Sequence, residues 1–133
     1  MEPVVRYMLL CDAVTVDPDR PLCVQIDCLM IAIRSHEEPP FPLLRESICV
    51  LLVLTECRGQ GVGEIRVVCL DDATDTPVFG SPPRQLAFAG ESPLETIGVS
   101  FVLRDCLFPK AGRYAVQFWY NGRSISEQAL LLR

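Results

Sequence analysis

Residues 108–125 read FPKAGRYAVQFWYNGRSI. Pro109 and Gly112 punctuate the entry, and Tyr114, Val116, Phe118 and Tyr120 then fall at every second position. That alternation is the period of a β-strand, whose side chains point to opposite faces in turn. Asn121-Gly122 follows, a dipeptide suited to a two-residue hairpin turn because both central residues need positive φ. Such a turn sets Tyr120 against Arg123, Phe118 against Ile125, Val116 against Glu127 and Tyr114 against Ala129. The opposite face sets Trp119 against Ser124, Gln117 against Ser126 and Ala115 against Gln128. One face is therefore apolar and the other wet, with the only tryptophan of the chain on the wet side. Glu127 is the misfit, an acid on the apolar face, which a bulge or the rim of a sheet would relieve.

The same period recurs along the chain. It predicts strands over Val4–Val16, Leu22–Arg34, Ser47–Thr55, Gly63–Leu70, Pro77–Gly80, Gln85–Ala89, Glu95–Arg104, Arg113–Tyr120 and Arg123–Leu132. Turn-forming clusters separate them, among them DPDRP (17–21), SHEEPPFP (35–42), DDATD (71–75) and AGESP (89–93). RGQGVGE (58–64) reads as a hairpin loop, since it lacks the lysine and the following helix of a phosphate-binding loop. Of eleven prolines only Pro77 falls in a predicted strand, at its first residue, where a missing N–H is tolerated. Ser92-Pro93-Leu94-Glu95 has the spacing of a helix start, but the alternating, β-branched run after it limits the expectation to a single turn. Eight or nine short strands without a long helix predict an all-β fold. The expected architecture is an immunoglobulin-like, two-sheet antiparallel sandwich formed by residues 1–133 as one domain.

Composition narrows the function. Half of the 133 residues are apolar and 22% are charged, enough to close a core. The net charge of −5 and a pI near 4.8, with scattered basic residues, exclude a phosphate backbone as partner. MEPVVRYMLLCDAV lacks the charge order of a signal peptide, and no uncharged stretch exceeds nine residues, about half a bilayer span. A cytoplasmic protein with no membrane association is expected. The seven cysteines (11, 23, 28, 49, 57, 69 and 106) contain no CxxC and then read mostly as small buried hydrophobes. Cys57, beside Arg58 and the glycines, is the candidate for an exposed, reactive thiol.

The stretches RYMLLCDAVTVD (6–17), DPDRPLCVQIDCLMIAI (17–33) and Phe41-Pro42 resemble the opening of a bacterial family of small domains of unknown function. That family pairs a short L-x-C-D strand with a second strand of G-I-F-D type; this chain has Asp27-Cys28 where members often have Gly-Ile. FPKAGRYAVQFWYNGRSISEQALLL (108–132) is similar to the family's closing hairpin, a pattern shared with many immunoglobulin-like sandwiches. The resemblance implies an intracellular β-sandwich and brings no catalytic residues with it.

Few residues offer chemistry. His36 is the only histidine, so a hydrolase or ligand-binding enzyme would have to centre on its proline-rich loop, with Cys57 or a carboxylate as partner. Zinc is disfavoured, because Cys23 and Cys28, five apart, point to opposite faces of a strand. The acidic turns Asp17/Asp19 and Asp71/Asp72/Asp75 offer oxygen ligands for a calcium-dependent docking module, although aspartate is also an ordinary turn residue. No cofactor, metal or catalytic residue is assigned. What remains is a surface: Trp119, with Gln117 and Arg113 on the same strand face, as the anchor of a non-catalytic interaction or structural module. The partner would be a second copy of the chain or another protein.

Overall fold

The computed structural model describes residues 2–74, 76–88 and 92–133. Ten strands account for the described secondary structure: β1 (Val4–Asp17), β2 (Arg20–Leu29), β3 (Ala32–Ile33), β4 (Leu43–Thr55), β5 (Gln60–Cys69), β6 (Pro77–Gly80), β7 (Arg84–Ala87), β8 (Ile97–Phe108), β9 (Gly112–Tyr120) and β10 (Arg123–Leu132). They form a four-stranded sheet, β2-β1-β4-β8, and a six-stranded sheet, β3-β10-β9-β5-β6, with β7 also paired to β5. The fold is a two-sheet β-sandwich. Between Ser92 and Glu95 the chain makes one turn, closed by the Glu95 N–H on the Ser92 carbonyl. Among the described residues no helix is long and apolar enough to cross a membrane.

Alternation builds the core. On β4, Ile48, Val50, Leu52 and Leu54 point inward; on β9 it is Tyr114, Val116, Phe118 and Tyr120. Aromatic contacts join the sheets: Phe101 of β8 meets Phe118 at 6.0 Å, and Phe108 meets Tyr114 edge-on at 5.2 Å. The Tyr114 hydroxyl, buried by this packing, donates to the Lys110 carbonyl at 2.7 Å.

The closing hairpin forms as its sequence requires up to the bulge. Asn121 and Gly122 both have positive φ, at 51° and 80°. Tyr120 faces Arg123 and Trp119 faces Ser124, but the register then slips by one residue between Ser124 and Ser126. Phe118 therefore pairs with Ser126, Gln117 with Glu127 and Tyr114 with Leu130. The slip turns Glu127 off the core face and brings Leu130 and Leu132 onto it, so no carboxylate is desolvated.

Other elements differ from their sequence pattern. The stretch 22–34 divides, because the chain leaves the first sheet after Leu29 and joins the second as β3, parallel to β10. β4 starts at Leu43, four residues early, and pairs with a β8 that continues to Phe108. Inward burial in β8 changes phase between Leu103 and Cys106, around Asp105 with φ 53°, so strict alternation alone could not extend the strand. Gly61 and Gly63 lie inside β5, not in a loop, and pair with Leu86 and Arg84. At Gly61 the missing side chain is needed, because a Cβ there would collide with the Tyr120 ring, whereas one at Gly63 would meet the movable end of Leu86.

The Tyr120 hydroxyl is the buried polar side-chain atom without a hydrogen-bond partner among the described residues. Tyr120→Phe is accordingly expected to leave stability unchanged or raise it by up to about 1 kcal/mol. Gly61→Ala, which overpacks the same ring, is expected to lower it by about 2 kcal/mol. Denaturant unfolding of both variants checks the pair.

Candidate functional site

Trp119 projects from the outer face of the six-stranded sheet, between β5 and β10. Glu64 faces it across β5, and Arg66 faces Gln117 one row along. The Arg66 guanidinium lies 4.0 Å from the centre of the indole, and its Nη2 sits 2.6 Å from Glu64 Oε1. The indole Nε1–H donates to Gln117 Oε1 at 3.0 Å. A cation over one ring face and a hydrogen bond at its edge leave Trp119 half-buried and held in place. The wet face foreseen for this tryptophan is therefore a clamp of four side chains, with Glu127 opposite Gln117 on the other side.

Arg113 does not share this site. It lies six residues from Trp119, about 20 Å along the strand, where Asp71 holds it. One Asp71 oxygen accepts from the Arg113 backbone N–H at 2.9 Å, and the other accepts from its Nε and Nη2 at 3.1 and 3.0 Å. Gly112, with φ 145°, makes room, because a Cβ there would meet the same carboxylate. The backbone hydrogen bond from Arg113, followed by its side-chain bonds, holds the Asp71 pKa below the usual carboxylate range.

The acidic turns engage cations of the chain itself. Asp72 pairs with Lys110 and Asp17 with Arg20, while Asp75 lies outside the described residues. Among the described residues no group of three or more His, Cys, Asp or Glu side chains is placed to hold a metal ion. His36 is exposed on the loop between β3 and β4, whose hydrogen bonds run through Ser35 to Pro40 and Glu37. A cleft of about 350 Å³ between β7 and β8 is lined by Arg84, Leu86, Phe88, Ile97, Val99 and Ser100 among others; neither a histidine nor a carboxylate lines it among the described residues.

Cys57 corrects the expectation of an exposed thiol. It is fully buried and belongs to the core, although it lies in the short connection between β4 and β5. Cys23 and Cys28 on β2 are the exposed cysteines, and Cys11, Cys49, Cys69 and Cys106 are buried. Burial pushes the thiols of Cys11 and Cys106 up to about 11 and raises that of Cys49.

Sequence reasoning missed Arg66 and Glu64. Their signal was present, as two charged residues alternating with Ile65 and Val67, but the step that sets them beside Trp119 is the pairing of β5 with β9.

A sandwich domain with this arrangement has a place among known families. Residues 6–133 match a family of unknown function (DUF6941), and the chain belongs to it. No curated protein matches the sequence. Among solved structures, the β-D-glucoside glucohydrolase of Trichoderma reesei is similar over 99% of this chain and 19% of its own, at 10% identity and a TM-score of 0.50. The alkylpurine DNA glycosylase AlkC of Pseudomonas fluorescens, bound to DNA containing an abasic site analog, is similar over 95% of this chain and 30% of its own, at 16% identity and a TM-score of 0.43. The first likeness concerns the fold alone, and the second is too slight to carry an argument.

Two outcomes are expected. In reduced native protein, iodoacetamide should modify Cys23 and Cys28 quickly and the five buried cysteines only after unfolding, as read by mass spectrometry of the peptides. Folding lowers the Asp71 pKa, so its stabilising effect is full above the unfolded carboxylate range and fades as the pH falls through the folded value. Asp71→Asn should therefore lose less stability than wild type as the pH falls below the unfolded carboxylate range in thermal melts, while being less stable at neutral pH.

Proposed function

We propose that this chain is a non-catalytic protein-interaction module that binds through Trp119 and the polar side chains around it. The observation that carries the reading is the clamp itself. Arg66 covers one face of the indole and Gln117 fixes its edge, so a partner meets a large amphipathic ring already held in place. Such a ring loses little side-chain freedom on binding, and aromatic and arginine side chains are the usual anchors of protein interfaces. Arg113 belongs to the Asp71 clasp and takes no part. The His36 loop and the acidic turns offer no comparable preparation for catalysis or for calcium. The module is immunoglobulin-like in this reading, supported by Tyr114, which bonds four residues back at the start of its strand as at the tyrosine corner of such sandwiches. A reducing, cytoplasmic setting suits its five buried cysteines.

Immobilised wild-type chain is expected to capture a discrete protein from an extract of its source cells. Trp119→Ala should reduce that capture about tenfold or more and Gln117→Ala by less, while Arg113→Ala leaves it unchanged. Equal capture by a Trp119→Ala variant with an unchanged melting temperature would remove the reading.

A further inference from the structure

The apolar outer surface of this sandwich lies on the other sheet. Beside the inward residues of β1 and β4, the four-stranded sheet carries a second apolar layer outside. Cys11, Cys49 and Leu51 form its floor, at 0%, 4% and 3% exposure, although none belongs to the core cluster. Around them Tyr7, Leu29 and Val102 stand exposed at 64%, 58% and 49%, and Leu9 and Val53 are half-buried. Strand spacing makes this patch about 300 Å². That is the size at which exposed apolar patches on monomers tend to be functional.

The register arranges it in rows. Tyr7 pairs with Val53 and then Gly98, and Leu9 with Leu51 and then Ser100. The next row runs Leu29, Cys11, Cys49, Val102. Two residues further along each strand, Asp27 pairs with Ala13 at the β2 edge, and Arg104 pairs with Ser47 at the β8 edge. The pairing of β1 with β4 reaches Cys11 and Cys49, and beyond that row the β2 edge carries an exposed acid and the β8 edge an exposed base. Neither makes an ion pair among the described residues.

We propose that this face binds a second copy of the chain, the two sheets stacking about a two-fold axis that runs parallel to the strands between β1 and β4. A rotation about that axis lays each row over itself reversed. Tyr7 then meets Val53 of the second copy, Leu9 meets Leu51 and Leu29 meets Val102. Beyond the last paired row, Asp27 at the β2 edge of each copy then faces Arg104 at the β8 edge of the other, twice per dimer. Sheets stack about 10 Å apart, a gap that an arginine and an aspartate span together. A two-fold axis along any other direction brings unlike rows together and leaves these charges unmatched. The patch is smaller than a standard interface, so the dimer is a weak one.

Sedimentation between about 1 µM and 1 mM reads the association in the range such interfaces occupy. Wild type is expected to pass from monomer to dimer in that range. Asp27→Arg and Arg104→Asp, each alone, place like charges at both contacts and should weaken association about tenfold or more. Mixed together, the two variants restore opposite charges at both contacts and should form a heterodimer at least as tight as wild type. Trp119→Ala should dimerise like wild type, which separates this face from the interaction proposed above. A wild-type monomer at 1 mM, a dimer indifferent to both charge changes, a mixture that stays monomeric or a dimer lost in Trp119→Ala would each overturn the proposal.

Discussion

Two aromatic contacts between β8 and β9 are the constraint on which the rest of the sandwich depends. Phe101 against Phe118 and Phe108 against Tyr114 join consecutive strands that lie in different sheets. Each contact is worth about 0.5–1.5 kcal/mol beyond the area it buries. More than that, each fixes a phase. With Phe118 and Tyr114 pointing inward, Gln117 and Trp119 must point outward, and with Phe101 and Leu103 inward, Val102 and Arg104 must face solvent. The outer surfaces of both sheets follow from which residues these aromatics bury.

The closing hairpin was legible because its two faces differ in chemistry. Tyr114, Val116, Phe118 and Tyr120 are apolar while Gln117 is not, so only one orientation buries the right side chains. Glu127 marked the weak point of the simple register, and the bulge between Ser124 and Ser126, just before it, turns that acid outward. Position 61 was illegible for a local reason: glycine reads as a turn, and only the ring of Tyr120, far away in sequence, makes it a strand residue. Cys57 was misread for a different reason: it does lie in a loop, between β4 and β5, but its side chain is buried in the core, which local sequence does not reveal.

The site was harder to read than the fold. Alternation tells which face a residue takes but not which strand lies alongside, so Arg66 could not be set over Trp119 from the sequence. The outer layer of the four-stranded sheet was hidden for another reason. In Ile48 to Leu54 every residue is apolar, so both faces read as core and neither stands out. One of those faces packs against the other sheet and the other does not.

The edges of the two sheets differ in a way that governs how the fold meets other chains. On the six-stranded sheet, β3 has two residues, and the opposite edge of β5 is covered in pieces by β6 and β7, four residues each. Pro77 opens the first of these pieces, and Pro82 and Pro83 follow it, each lacking the N–H that a neighbouring strand would use. Such an edge gives no template for amyloid-like growth. The four-stranded sheet ends instead in β2 and β8, with ten and twelve residues. There the αL residues Cys28 and Asp105 interrupt the regular extended backbone, so the protection against aggregation rests on kinks in long strands and not on brevity.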